Sequence, residues 1–179
     1  MAYDIYMHFE GAGKLGGTIE GETSDAEMSA KKAFEIMSFS LGGSNPVTIG
    51  SSVRGLASGK VSISSINIMK QTDKSTPALF AACCVGDHFP KAIVTLRRSG
   101  TDAKHAGKAF MVFELTEVMV ESVQWSGSGG GDSVPTESVS FAFGAITVQY
   151  LPTDTEGALG DAIIQSWSLV KNEPTAAVV

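Results

Sequence analysis

The sequence has few cysteines and no long apolar run. Its two cysteines, Cys83 and Cys84, are adjacent, and adjacent cysteines rarely pair because the geometry of a disulfide strains the peptide between them. We therefore expect no disulfide framework, which fits synthesis in a reducing compartment. The longest continuous apolar run, residues 77–85, is much shorter than the ~18 residues that a membrane helix needs, so no membrane insertion is predicted.

The N-terminus also lacks the features of an export signal. It contains Asp4 and Glu10 and has no basic segment followed by an apolar one, so a Sec-type signal peptide is not predicted and the chain is expected to be cytoplasmic when made. Basic residues are sparse as well, with 13 Lys and Arg against 19 Asp and Glu. Because nucleic-acid binding needs clustered Lys and Arg, a nucleic-acid partner is disfavoured.

Motifs for catalysis are missing too. No GxSxG sequence is present, which a serine hydrolase of the α/β type would need. The glycine-serine run at residues 126–133 lacks the Lys-Ser/Thr ending of a phosphate-binding loop, so a hairpin loop is the preferred interpretation. Glu117 and Glu121 would lie ~13 Å apart on one strand face, too far for a retaining glycosidase pair. The sequence therefore predicts a protein that is not an enzyme.

Candidate metal ligands are few. Cys83, Cys84 and His88 are the best set, but no further Cys or His has metal-ligand spacing, and two small buried cysteines in a helix are the preferred interpretation. His8, on the outward face of a predicted strand, and His105, in a polar turn, are expected to be solvated. No metal or other cofactor is therefore predicted.

The apolar pattern predicts a mainly β fold. Residues alternate between apolar and polar in segments that we predict to be strands; these are 3–10, 34–41, 61–70, 92–98, 109–125, 138–151 and 162–171. The phase of the alternation changes at Gly144 and again between Ile63 and Ile66. Such a change is typical of a bulge or a barrel corner, so a closed or strongly bent sheet is favoured.

One helix is predicted, from about Thr76 to Val85. Ser75 or Thr76 can cap it, Pro77 suits its first turn, and Gly86 follows its end. Because it is apolar nearly all round, we expect it to be well buried, either as a plug in the barrel mouth or by packing against a neighbour. Between the strands, residues 42–59 form an extended loop, which is long for a connection within one compact domain and is therefore expected to be functional. The whole chain, residues 1–179, is predicted to be a single domain.

Two segments carry a resemblance to a known family. Residues 65–100, SINIMKQTDKSTPALFAACCVGDHFPKAIVTLRRSG, resemble the central block of the Hcp family (hemolysin-coregulated protein), the tube protein of bacterial type VI secretion. Residues 126–152, SGSGGGDSVPTESVSFAFGAITVQYLP, resemble its second hallmark, a glycine-serine hairpin followed by an aromatic-ended strand. With the opening MAYDIYMHFEG and the strand around Trp167, the resemblance spans roughly residues 1–172.

The resemblance implies a fold, a function and partners. The implied fold is a bent two-sheet β-barrel with one flanking α-helix, similar to phage tail tube proteins. The implied function is that of a structural subunit that forms hexameric rings, which stack into an inner tube that carries or exports effectors. The implied partners are other copies of the chain, a VgrG-type spike, a contractile sheath and effector proteins. Export to the extracellular space or a target cell then proceeds by type VI secretion, without a signal peptide.

Two surfaces are candidates for these contacts. Ser38 and Ser40, small polar residues on one face of a strand, are candidates to line the lumen of a ring; an ordinary solvated strand face is the alternative. Ring stacking is assigned to apolar and polar residues of the extended loop, for which packing on their own barrel is the alternative. These loop residues are Asn45, Pro46, Val47 and Ile49.

Other functions remain open at this point. A phage-type tail tube subunit would share the architecture but belong to a different machine. A small-ligand β-barrel carrier would be monomeric and would enclose an apolar cavity. An unrecognised hydrolase is the third alternative.

Overall fold

A computed structural model describes residues 3–48, 57–98, 107–128, 134–152 and 160–178. Most of these residues lie in β-strands, and the predicted mainly β class is confirmed. The strands are β1 (Tyr3–Glu10), β2 (Phe34–Ile36), β3 (Ser38–Ser40), β4 (Gly43–Ser44), β5 (Val47–Thr48), β6 (Ala57–Ser58), β7 (Ser62–Ile63), β8 (Ile66–Gln71), β9 (His88–Arg98), β10 (Ala109–Ser126), β11 (Thr136–Tyr150) and β12 (Ile163–Ser168), and the helix is α1 (Thr76–Val85).

The main sheet is nearly closed into a barrel. Its strand order is β2-β1-β9-β10-β11-β8-β3, with β12 paired to β11, and all of these pairs are antiparallel. The two ends of this order, β2 and β3, are separated in the chain by Met37 alone, whose amide donates to the carbonyl of Met69 on β8. One chain segment therefore pairs with β1 through its first half and with β8 through its second, which brings the two ends of the sheet together.

The barrel bends where Glu117 on β10 faces Gly144 on β11. Glu117 has a positive φ of 52°, and the buried positions change phase at this point in both strands. A Cβ at Gly144 would lie 2.5 Å from a Cγ of Val178, so the C-terminal tail packs against the bend at a distance that only glycine permits. The predicted change of face at Gly144 is thus a corner of the barrel.

Helix α1 lies against β10 and has the predicted bounds. Ser75 occupies the N-cap position, but it makes no side-chain cap, because its hydroxyl donates to the Asp73 carboxylate instead. Only Leu79 and Ala82 are buried, whereas Phe80 is about half exposed. Within one copy α1 therefore packs on the barrel by one face and leaves an apolar face outside, and burial of that face against a neighbour stays a prediction.

Residues 42–59, predicted as an extended loop, contain short strands that pair with one another or with the segment after them. β4 pairs with β7 and β5 pairs with β6, both antiparallel, and Gly59 donates to the carbonyl of Pro46. Residues 42–48 and 57–64 thus form a narrow two-stranded arm, and this arm continues from β3 and β8. No helix in the described part of the chain is long and apolar enough to cross a membrane.

Candidate functional site

Ser38 and Ser40 lie on the outer surface of the barrel. Both are exposed, while Phe39 between them packs against the core, where its ring centroid is 5.6 Å from that of Phe113. This alternation is what a half-buried strand requires. In the ladder with β8, Ser38 lies opposite Met69 and Ser40 opposite Asn67.

The same surface continues across β8, β11 and the end of β10, where the described side chains that lie opposite one another are uncharged. Side chains that are opposite one another in adjacent antiparallel strands share a face. The register places Ser40, Asn67, Ser140 and Ser122 in one row, Ser38, Met69, Ser138 and Gln124 in a second, and Gln71, Thr136 and Ser126 in a third. We call these residues the neutral face. The exposed Glu121, at the bulge between Val120 and Ser122, lies outside these rows.

Polar groups on the neutral face bond to one another. The Asn67 side-chain amide donates to the hydroxyls of Ser138, at 3.1 Å, and Ser140, at 2.9 Å. Hydroxyl and amide groups bonded in this way present a hydrated surface without the long-range field of a charge. The neutral face can therefore contact another molecule with little dependence on that molecule's charge.

A second outer surface, formed by β1, β9 and the first half of β10, has the opposite character. Lys91 bonds Glu114 at 2.7 Å and lies 4.0 Å from Glu10, and Lys14 bonds Glu117 at 2.8 Å. The hydrogen bond to Glu114 raises the pKa of Lys91, despite an opposing effect of burial. The barrel thus separates a charged outer face from a neutral one.

The neutral face has an open edge on each side in the described part of the chain. β3 pairs with β8 along one edge only. β10 pairs with β11 as far as Ser126, but its ladder with β9 stops at Met119. Helix α1 reaches this second edge at Glu121, where the Cys83 Sγ lies 3.7 Å from the carbonyl oxygen. Unpaired backbone groups at a sheet edge are available to a strand of another molecule.

The arm carries the residues assigned to ring stacking. Asn45 and Pro46 are exposed, as is Val47, with 56% of its surface accessible. Their side chains are therefore accessible in a single copy, and their role in ring stacking stays a prediction. Ile49 lies outside the described residues.

A groove of about 560 Å³ opens between the base of the arm and β12. It is an open groove on one side of the barrel, whereas a small-ligand carrier requires an enclosed cavity. The barrel interior is instead filled by side chains without solvent exposure, including Ile68, Val139 and Phe141. Apolar residues line much of the groove: Leu41, Ile63, Ile146, Val148, Trp167 and Pro174.

A buried ionic cluster positions α1 beside the neutral face. The Lys70 ammonium, on β8, donates to the carboxylates of Asp73 at 2.7 Å and Glu137 at 2.8 Å. Glu137 also accepts from the Thr76 hydroxyl in the first turn of α1 and from the Trp125 indole on β10. The DKSTP sequence therefore supplies one carboxylate and one hydroxyl to a cluster that joins the helix to the inner side of the sheet.

Part of this site could have been found from the sequence. Ser38 and Ser40 are on the neutral face, and Asn67, Ser138 and Ser140 were missed there although they alternate with apolar residues in their own strands. The joining of separate strands into one uncharged face depends on register, which the alternation does not specify. His8 was expected to be solvated, but it is buried, with 5% of its surface accessible.

Comparison with known proteins gives consistent matches. A family model described as "Type VI secretion system effector, Hcp" matches residues 6–150. Protein hcp1 of Pseudomonas aeruginosa is 36% identical over 114 residues, which cover 63% of this chain and 68% of that protein. A solved structure of a type six secretion system protein is 30% identical, with a TM-score of 0.84, and covers 97% of this chain and 100% of that one. The fold is also shared with Hcp1 from Salmonella typhimurium, at 24% identity and a TM-score of 0.73, over 98% and 100% of the two chains.

Proposed function

Since the chain belongs to the Hcp family of type VI secretion proteins, we propose that it is a structural, non-enzymatic subunit of the type VI inner tube. Copies assemble head to tail into hexameric rings, and the rings stack into a tube that carries or exports effectors. The neutral face is the observation that carries this proposal, because a ring must present one surface of each subunit to its lumen.

The lumen is lined by the neutral face. A channel that passes varied proteins benefits from a surface that neither attracts nor repels charge, and every side chain in the three rows is uncharged. The charged face across β1, β9 and the first half of β10 then lies on the outside of the ring. Ser38 and Ser40 are lumen residues in this arrangement, as are Asn67, Ser138 and Ser140.

Ring closure uses the two open edges of the neutral face. Placing β3 of one copy beside the end of β10 in the next copy continues the sheet from subunit to subunit. This contact joins two different edges, so it is heterologous, and a heterologous contact closes into a ring when its rotation allows. The apolar outer face of α1, which includes Phe80, lies next to the β10 edge and extends the same contact.

Ring stacking uses the arm. Most described residues of the arm are exposed, and Val47 is an exposed apolar residue among them. An exposed apolar residue on a narrow projecting element is suited to a contact with another subunit. The remaining partners, a VgrG-type spike, a contractile sheath and effectors, follow from the family. The type VI export route follows from it as well.

Cross-linking tests the proposed contact between β3 of one copy and the end of β10 in the next. Ser38 and Gln124 share a row but are separated by β8 and β11, so at ~4.8 Å per strand they lie ~14 Å apart within one copy, too far for a disulfide. Cysteines at Ser38 and Gln124, in a chain with Cys83 and Cys84 replaced by alanine, should therefore link different copies. Mild oxidation should give a ladder of covalent oligomers on a denaturing gel.

A second pair of cysteine substitutions controls for disulfides that form by random collision. Ser38→Cys with Ser138→Cys keeps one cysteine at the β3 edge and places the other on β11, in the interior of the sheet, so it should give no ladder. Negative-stain images of the unmodified protein should show six-fold rings. A monomeric mass of 18.7 kDa in light scattering would contradict the tube function, whereas rings without a specific ladder would contradict only the pairing of β3 with β10.

A further inference from the structure

A strap, formed by residues 20–33, packs on the outer side of β1 through Met28 and Ala33. Met28 and Ala33 on the strap are buried against Tyr6 on β1, in a small cluster separate from the barrel core. The strap folds back on itself through a hydrogen bond from the Gly21 amide to the Lys32 carbonyl. It is also held to β9, because Arg97 bonds the Asp25 carboxylate at 2.7 Å.

His8 lies two residues after Tyr6, on the same outward face of β1, and is buried. Its Nδ1 is inaccessible and has no hydrogen-bond partner within the described structure. Its Nε2 lies 3.9 Å from Oε1 of Glu10. A neutral imidazole has one N–H donor, whereas a protonated imidazole has two. Protonation therefore adds a positive charge and a second N–H donor to a buried site in which Nδ1 has no acceptor.

The surroundings of His8 disfavour its protonation. Burial lowers the pKa of His8 below 6.5, and Lys31 on the strap lowers it further, while Glu10 raises it. The Glu10 carboxylate also lies 4.0 Å from the Lys91 ammonium on β9. The β9 residue opposite His8 is Ile93, which is uncharged.

We propose that the strap is an acid-released cover, opened from β1 when His8 gains a proton. Opening exposes the apolar cluster of Tyr6, Met28 and Ala33 and changes the outer surface of the subunit. The contacts that hold the strap lie within one chain, so its release does not require the tube.

The direction with pH follows from the lowered pKa. In the open form His8 is solvated and titrates near its usual pKa of about 6.5. The closed form binds the proton less readily, so it has its full stability above this pH. It loses stability as the pH falls from about 6.5 through the lowered pKa of the closed form.

Two of the carboxylates that hold the strap, Asp25 and Glu20, have pKa values below their usual range. The backbone amide of Met28 lowers the pKa of Asp25, and the bond to Arg97 lowers it further, against an opposing effect of burial. Hydrogen bonds from Lys32 and Lys74 lower the pKa of Glu20. Both carboxylates therefore stay ionised while His8 titrates.

Hydrogen-deuterium exchange of the full chain tests the proposal. Between about pH 7.5 and about pH 5, after correction for the intrinsic pH dependence of exchange, protection in the strap should fall by up to about tenfold per pH unit once His8 begins to titrate. Protection in the ladder between β10 and β11 should stay constant. His8→Phe should keep the strap closed over the whole range, and His88→Gln, at a half-exposed histidine, should behave like the unmodified protein.

A second variant tests the same coupling if His8→Phe fails to fold. Lys31→Gln removes the like charge and brings the pKa of the closed form nearer to that of the open form. The loss of strap protection should therefore become smaller than in the unmodified protein, whereas Lys171→Gln, an exposed control, should leave it unchanged. Equal loss in His8→Phe and the unmodified protein would overturn the proposal. So would full strap protection of the unmodified protein at about pH 5.

Discussion

The Nζ atom of Lys70 lies 2.8 Å from Oε1 of Glu137, and both side chains are fully buried. The two residues are opposite each other in the ladder between β8 and β11. The same ammonium donates to the Asp73 carboxylate and to the carbonyl of Gln71, so each of its N–H groups has an acceptor. A buried pair is stable only while both partners and their further hydrogen bonds are present.

Lys70→Met should lower the free energy of unfolding by about 3–5 kcal/mol, because it leaves the Glu137 carboxylate buried without its cation. Urea unfolding followed by circular dichroism measures the loss. Lys91→Met is the matched control: Lys91 bonds Glu114 at 2.7 Å, but about a third of each side chain is exposed. Its cost should not exceed about 1 kcal/mol.

A double variant separates pairing from packing at the same site. Lys70→Met combined with Glu137→Met removes both charges and should recover much of the stability that Lys70→Met loses. Equal losses in the free energy of unfolding for Lys70→Met and Lys91→Met would show that burial of the ion pair does not determine the loss.

Gly13→Ala should destabilise the loop after β1. A Cβ at Gly13 would lie 2.1 Å from Oδ2 of Asp87, and this buried carboxylate accepts hydrogen bonds from the amides of Leu15, Gly17 and His88. The substitution must therefore displace a carboxylate that satisfies several backbone donors, at a cost of about 1–3 kcal/mol. Thermal unfolding measures it, and Gly43→Ala is the control.

The control glycine has room for a side chain. A Cβ at Gly43 would come no closer than 3.8 Å to any neighbour, so Gly43→Ala should change the midpoint of thermal unfolding little. A Gly13→Ala protein as stable as the unmodified one would show that the loop can move away from Asp87 without loss.

Asp25→Asn should destabilise the protein in a pH-dependent way. The folded structure lowers the pKa of Asp25, mainly through the Met28 amide. The ionised carboxylate therefore contributes stability that is fully present above its unfolded pKa of about 3.9 and is lost as the pH falls through the lower folded pKa. Unfolding curves of Asp25→Asn and the unmodified protein should differ at neutral pH and converge at low pH. A constant difference would contradict the ionic role.

Ser40→Glu should make ring stability depend on salt. As an exposed surface substitution, it should change the stability of the subunit by no more than about 0.5 kcal/mol. In a ring, however, it places one added negative charge per subunit around a shared lumen, and salt screens their repulsion. Native mass spectrometry and light scattering should show fewer rings at low salt and recovery at high salt. Thr116→Glu, on the charged face, should show no such dependence, and salt-independent rings of Ser40→Glu would contradict the lumen assignment.

Strands and helices that bury one face could be predicted well from the sequence. The strand Tyr3–Glu10 and the helix Thr76–Val85 have the bounds that alternation and helix-terminating residues indicate. The exposure of α1 was not predictable from its composition, because an all-round apolar helix is equally suited to the interior and to a contact between subunits. The short strands of the arm were missed because two-residue ladders have too little periodicity to detect.

The surfaces depend on long-range pairing, which the sequence pattern does not contain. His8 is on the outward side of β1, as the alternation predicts, but it is buried all the same, with 5% of its surface accessible. Lys70 and Glu137 are both at inward positions, where charged residues are rare, and each has a partner 67 residues away in the chain. Charged residues at inward strand positions are therefore the signal by which such a cluster could be sought.

Alanine at both Val47 and Ile49 should weaken ring stacking and leave the rings intact. The arm is built from two-residue ladders, with β4 paired to β7 and β5 to β6, and Val47 is exposed on it, so truncating this side chain removes little from the stability of the subunit itself. Contact area lost between rings would reduce tube length, measured by negative-stain microscopy, while native mass spectrometry still reports hexamers. Leu15→Ala, at an exposed apolar residue outside the arm, is the control and should preserve tube length. Tubes of normal length from the double variant would exclude these apolar side chains as the stacking contact and leave Asn45 and Pro46 as the arm residues to substitute next.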